Sequence, residues 1–301
     1  MTKARKGIYA AAISPFTEDY RLDCSKLVNY CLYLLNDGGC DGVAPLGTTG
    51  EGASISIDDR IKLPKLFFKA SIPADRVIIG TGNPSTSDAA RLSKAALEYG
   101  YVNQLVLPPF YYKSVGDDGL YDYFSYMIKT INSENLRIYL YHFPQVSMVP
   151  ISVDLVLRLK NEFGPIIAGL KDSSGDFSQS VAFTTATGGI NQDFDVYPSS
   201  EAFYFKGIQA GCAGIISGST NVFATLVQAA IKSPEGSESE EFKKVIEARS
   251  FAGEFNLMAA MKAAEAKRTA DESWERLAPP LQKLNKEDKQ KLYAGLSKIF
   301  A

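Results

Sequence analysis

The chain has 301 residues, 46% of them hydrophobic, enough for one large α/β barrel or two ordinary domains. Its formal charge of −2 and the lack of basic runs interleaved with aromatics argue against nucleic acid or an anionic membrane surface as partners. Four scattered cysteines without a CxxC pair fit reduced thiols in a cytoplasmic protein, and a single histidine, His142, leaves little for a metal centre or a Ser-His-Asp triad.

In chain order, the opening MTKARKGIYAAAISPF has basic residues before an apolar run, as a signal peptide does. The run is short and stopped by Pro15, so it reads as a first strand. No apolar stretch is long enough to span a bilayer. Strands are expected at Ile8–Ile13, Gly42–Leu46, Arg76–Gly80, Gln104–Leu107, Arg137–Tyr141, Ile166–Leu170, Phe194–Tyr197 and Gly214–Ser217. Helical periodicity marks Ser25–Asn36, Ile57–Ala70, Ser87–Tyr99, Gly119–Asn132 and Ser152–Phe163 between them. This alternation predicts an α/β fold, a (β/α)₈ TIM barrel. A doubly wound open sheet would need a G-x-G-x-x-G after an early strand, and none is present. After Ser233–Glu241, which reads as a mobile linker, Glu238–Lys267 and Lys286–Phe300 are helical in pattern and separated by the Pro279-Pro280 break. The expected organisation is a barrel over residues 1–232 and a C-terminal helical extension over 233–301.

In such a barrel the working groups sit at the C-terminal ends of the strands. One stretch there is unusual: in Pro165–Asp176, a short apolar run ends on Lys171 and passes straight into a polar loop. Strand alternation puts Ile167, Gly169 and Lys171 on one face and Ile166, Ala168 and Leu170 on the other. An inward lysine at the end of a dry strand is expected to favour its neutral amine, because desolvation penalises the charged form; that is the setting for a nucleophile that condenses with a carbonyl. Tyr141 precedes it by about thirty residues, one βαβ unit, so the two belong on neighbouring strands at the same end. A phenol beside an amine can shuttle protons during imine formation.

The second strand is followed by Gly47-Thr48-Thr49-Gly50-Glu51-Gly52, whose glycines and hydroxyls suit an anion nest for a small carboxylate. Beyond the other strands lie Tyr111 with Tyr112, the polar trio Ser199, Ser200 and Glu201, which are suited to binding hydroxyls of a substrate, and Ser217-Gly218-Ser219. A carboxylate nest, a proton-transferring phenol and a desolvated lysine on one rim suit a 2-oxo acid. The protonated imine is an electron sink for a carbanion at the next carbon, so aldol chemistry proceeds without metal or cofactor.

At Gly47-Thr48-Thr49-Gly50-Glu51, Tyr141 with Phe143-Pro144, and Gly169-Leu170-Lys171-Asp172, the chain resembles the dihydrodipicolinate synthase / N-acetylneuraminate lyase family of pyruvate-dependent class I aldolases. The resemblance implies a barrel with a helical extension, assembled as a homotetramer built from two dimers. It implies Lys171 as the Schiff-base lysine and Tyr141 as the proton shuttle. Thr48 and Thr49 would bind the pyruvyl carboxylate, with Thr49 also in the proton relay, and Tyr111 would reach across the dimer to complete a neighbour's relay. Ile216 would turn its backbone carbonyl to the substrate.

The synthases place an arginine two positions past the Tyr-x-x-Pro turn to bind the carboxylate of the aldehyde partner. Val146 occupies that position here and cannot make a bidentate carboxylate contact. Phe143 and Ser199-Ser200-Glu201 also depart from the synthase pattern, while Ser173 offers a hydroxyl where a sugar-acid lyase has a threonine. The expected substrate is therefore a 2-keto-3-deoxy sugar acid or a related hydroxylated 2-oxo acid. Dihydrodipicolinate synthesis from aspartate semialdehyde, and dehydration through the same imine, are the alternatives.

Overall fold

The computed structural model describes residues 3–300. Among the described residues, eight strands alternate with helices: β1 Gly7–Ala10, β2 Gly42–Val43, β3 Ile79–Gly80, β4 Asn103–Val106, β5 Arg137–His142, β6 Ile167–Asp172, β7 Asp195–Pro198 and β8 Gly214–Ser217. All pair in parallel, in the orders β2-β1-β8 and β3-β4-β5-β6-β7. A parallel bridge from Val43 to Val77 joins the sheets on one side, and the Ala213 N–H donates to the Val196 carbonyl at 2.9 Å on the other. The result is a closed TIM barrel.

The helices are α1 Cys24–Asn36, α2 Ile57–Lys69, α3 Thr86–Glu98, α4 Asp117–Ile131, α5 Pro144–Ser147, α6 Val153–Phe163, α7 Phe177–Thr187, α8 Tyr204–Gln209 and α9 Thr220–Lys232, then α10 Glu240–Ala252, α11 Leu257–Thr269 and α12 Lys286–Phe300. Most begin where a short polar side chain accepts an orphan N–H of the first turn, as Asp23, Ser56, Ser85 and Ser152 do.

Outward strand residues such as Ile138, Leu140, Leu170 and Val196 pack against α4, α6 and α7. Inward residues fill the barrel, with Tyr9, Tyr139 and Tyr197 in edge-on and tilted contact beneath the rim. Apolar residues of α10, α11 and α12, among them Val245, Met261 and Leu292, belong to the same buried cluster as Ile8, Leu27 and Phe223.

Two sequence expectations change in the C-terminal part. Glu238–Lys267 is two helices, because the chain turns at Gly253 and restarts at Asn256, whose side chain accepts the Ala259 N–H. The Ser233–Glu241 segment is a structured turn: its Ser239 hydroxyl donates to the Gly236 carbonyl at 2.7 Å and accepts the Phe242 N–H that begins α10.

Candidate active site

Lys171 is the penultimate residue of β6, and its neighbour in register on β5 is Tyr141. Strict alternation would not aim it inward. Ile167 faces outward with Ile138 and the α-helical layer, which by a two-residue period would carry Gly169 and Lys171 outward too. The register shifts between Ile138 and Tyr139: Ile138 pairs with Ile167, but Tyr139 pairs with Gly169. Ala168 is the extra residue of a β-bulge, and it re-aims the rest of β6. The expectation that Ile167 shares the face of Lys171, and Ala168 the opposite one, is corrected accordingly; Ala168 lies in the barrel interior. A Cβ at Gly169 would sit 2.3 Å from the Asp195 carbonyl oxygen and 2.7 Å from the Tyr139 ring. The glycine thus lets that ring floor the barrel under the lysine.

Lys171 is 3% exposed, and its Nζ lies 3.3 Å from the Tyr141 hydroxyl. The Tyr141 hydroxyl lies 3.2 Å from Thr48 Oγ1. An amine, a phenol and an alcohol thus form one chain of hydrogen bonds across three strand ends. Among the described residues, no hydrogen bond links Thr49 to Tyr141; the hydroxyl within reach of the phenol is that of Thr48. Thr49 lies toward β8, where a Cβ on Gly218 would meet its Oγ1 at 3.0 Å.

The turn that carries both threonines is strained. Leu46 and Glu51, which bracket it, have left-handed backbones with φ of 62° and 54°. Its shape is held by bonds from the Glu51 N–H to Thr48 and from the Gly52 N–H to Gly47, each at 3.0 Å, and by Ser14 Oγ on the Gly50 carbonyl at 2.6 Å. A Cβ at Gly52 would lie 2.0 Å from the Leu46 carbonyl oxygen. Among the described residues, no hydrogen bond uses the N–H of Thr48, Thr49 or Gly50, which leaves these donors for an anion.

Thr48 and Tyr141 open onto a cavity of about 240 Å³ walled by Leu105, Leu107, Phe110, Val146, Met258 and Leu281. Among the described residues, no lysine or arginine lines it. The Ser147 hydroxyl on its wall is turned inward, bonded to the Phe143 and Val149 carbonyls.

The other sequence-selected residues divide. Ile216 is fully buried on the inner face of β8, beside Tyr9 of β1. Ser173 is buried just beyond Lys171, its N–H bonded to the His142 carbonyl at 2.8 Å. Ser199 is half-buried directly after β7. Tyr111 is 75% exposed in this chain and packs edge-on against Tyr112.

Glu201 does not offer itself to substrate hydroxyls. It is fully buried and accepts from Ser217 at 3.0 Å, Ser219 at 2.8 Å and Thr220 at 2.7 Å, with the Arg249 guanidinium 3.4 Å away. Arg249 also donates to Ser200 at 2.9 Å. The reading of Glu201 as a substrate contact is corrected: its oxygens are spent within the protein. His142 is structural, as its outward strand position implies. Its Nδ1 accepts the Ile151 N–H at 3.0 Å, and burial holds the imidazole below its usual range, in the neutral form. Two further residues carry no assigned role in the sequence reading: Asp172, quoted only within its motif, which accepts from Ser180 and from the Ser174 N–H to pin the loop after the lysine, and Lys262, taken up below.

The dihydrodipicolinate synthetase family model matches residues 4–299. The chain belongs to this family. It is 32% identical over 299 residues to an uncharacterized DapA-like lyase of Chloroflexus aurantiacus, covering 98% of this chain and 97% of that one. It is 30% identical over 226 residues to the 4-hydroxy-tetrahydrodipicolinate synthase of Bacillus subtilis, covering 75% of this chain and 74% of that one. Its fold superposes on dihydrodipicolinate synthase from Agrobacterium tumefaciens with a TM-score of 0.88 and 31% identity, across 99% of this chain and 100% of that one. The N-acetylneuraminate lyase of Proteus mirabilis shares the fold at a TM-score of 0.84 and 23% identity, over 99% of each chain. This family member is a lyase of the class I aldolase type, working through a lysine Schiff base.

Proposed function

We propose that Lys171 forms the Schiff base, with the ketone of pyruvate or of a longer 2-oxo acid. The observation that carries this reading is the 3.3 Å approach of its Nζ to the Tyr141 hydroxyl, which continues at 3.2 Å to Thr48. The amine adds to the C2 carbonyl, and Tyr141 passes the protons that convert the carbinolamine to iminium and water. Removal of the C4 hydroxyl proton then breaks the C3–C4 bond, whose electron pair is taken up as an enamine while an aldehyde departs. Protonation at C3 and addition of water release pyruvate and the free lysine. Thr48 and Thr49, with the unbonded N–H groups of their turn, hold the carboxylate, and Tyr111, exposed in one chain, serves a neighbouring copy in a homotetramer.

The second half of the substrate carries no carboxylate in this reading, since Val146 and its apolar neighbours line the cavity where a cation would be needed. Losing a buried carboxylate contact costs about 2–4 kcal/mol, tens- to several-hundred-fold in affinity. A 2-keto-3-deoxy sugar acid keeps the support of Val146 and loses that of Glu201. Within sugar acids and their analogues the apolar walls favour the members with fewer hydroxyls, because each unpartnered buried hydroxyl costs about 1–3 kcal/mol. Dihydrodipicolinate synthesis remains the second reading, on the strength of the similarity to the Bacillus subtilis synthase.

Borohydride added with pyruvate should leave a reduced pyruvyl adduct on Lys171, located by peptide mass, and the Lys171→Ala enzyme should trap none. A wild-type enzyme without adduct overturns the proposal. Pyruvate release from a panel of 4-hydroxy-2-oxo acids, beside a coupled assay with aspartate semialdehyde, distinguishes the two substrate readings.

A further inference from the structure

The strained turn that presents Thr48 ends in a buried carboxylate. Glu51 and Lys262 pair with both side chains at 0% exposure. Lys262 also donates to the Arg276 carbonyl and stands 4.5 Å from the centre of the Phe16 ring, while the Ala278 N–H donates to the second Glu51 oxygen at 2.8 Å. One residue of the turn is thereby bound to α11 and to the segment after it, some two hundred residues downstream.

We propose that Lys262 is a positioning residue for the reaction: through Glu51 it holds the Gly47–Gly52 turn in the geometry that brings Thr48 to Tyr141. The proposal rests on the reading of Lys171, Tyr141 and Thr48 given above. A left-handed backbone at a residue with a Cβ persists only where its surroundings over-determine it, and Glu51, at φ 54°, is such a residue. Its own N–H closes the turn onto the Thr48 carbonyl at 3.0 Å, so any shift of Glu51 is passed directly to Thr48. Apolar packing would fill the same space but would not hold direction; a buried carboxylate paired through one oxygen with an ammonium and accepting a backbone N–H on the other is held at both oxygens. Glu51 also lines the cavity onto which Thr48 and Tyr141 open. The C-terminal helices are in this view a part of the catalytic apparatus, supplying the anchor for a turn that cannot hold itself.

The test compares full-length Glu51→Gln, Lys262→Met and the double variant in pyruvate release and borohydride trapping. Each single variant should lower kcat about ten- to a hundredfold, the scale of a misplaced proton-transfer group, with a smaller change in KM. The double should cost no more than the worse single. Circular dichroism should show the barrel intact in Glu51→Gln, which keeps the side-chain shape. A folded Glu51→Gln enzyme with kcat within about twofold of wild type, and only its melting temperature lowered, overturns the proposal and makes the pair purely structural. Should no variant fold, amide exchange of the wild type decides. Residues 47–52 must open together with 257–269; independent opening overturns the coupling. If the wild-type enzyme traps pyruvate on Lys171 while these variants keep full kcat, this inference falls and the Schiff-base reading stands. Absence of trapping in the wild type removes that reading and this inference with it.

Discussion

Two polar groups lie buried at the rim of this barrel, and they differ in what remains unspent. Around Glu201, three hydroxyls and the Arg249 guanidinium fill the carboxylate's oxygens, and nothing is left for a ligand. Around Lys171, one amine meets one phenol and one alcohol in a linear chain that ends at a cavity. Burial alone does not separate the two, since both Glu201 and Lys171 are buried. What separates them is hydrogen-bonding capacity: a network with every site filled rigidifies the fold, while one with a vacant valence facing open space can receive a substrate.

The comparison breaks first at Tyr141. Tyr141→Phe keeps the ring and its packing against Phe143 but removes the proton path, so pyruvate release should fall about 10²–10⁴-fold, the usual worth of a positioned acid or base. A loss under about threefold would make the phenol a barrel filler.

Glu201→Ala should do the opposite. It takes the shared acceptor from Ser217, Ser219 and Thr220 and the partner carboxylate from Arg249, whose side chain keeps 25% exposure, so the loss should be about 1–3 kcal/mol, the cost of leaving buried polar groups unpaired. Urea unfolding should show that loss, while the folded enzyme keeps kcat within a few-fold. A stable variant with collapsed activity would return Glu201 to the site.

The smallest effect sharpens the contrast at the surface. Asp271 caps the turn at Ser273 and pairs with Lys26, which draws its carboxyl down to about 2 from an ordinary value of 3.8. The folded value is the lower one, so the stabilisation is complete above pH 4 and disappears as pH falls through about 2. The group is half exposed, and water screens it to well under 1 kcal/mol. Asp271→Asn should lower the melting temperature slightly at pH 7, with the difference from wild type shrinking at pH 2.5; a gap that persists unchanged at low pH would sink the assignment.

The neighbourhood of Tyr141 and Lys171 was legible because one βαβ unit separates them, and parallel strands so connected lie side by side. The inward aim of the lysine was inferred from alternation, and it holds for a different reason, the bulge at Ala168. A bulge depends on how two strands settle against each other, and Ile166–Leu170 carries no local mark of it. Glu201 was misread because its partners arrive from the next βα loop and from α10, and a lone acidic residue after a strand gives no sign of them. Lys262 gave no signal either, standing among alanines on a helix whose buried face shows only once α11 is docked.

The amino-acid order by itself determined the alternation of strands and helices, the barrel, and which chemistry-bearing residues end neighbouring strands. These follow from periods of 2 and 3.6 residues and from chain connectivity. Tertiary structure alone decided which polar groups were used up and which stayed open. Hydrogen bonds between side chains far apart in sequence depend on distances of a few tenths of an ångström, and only the packed fold sets those.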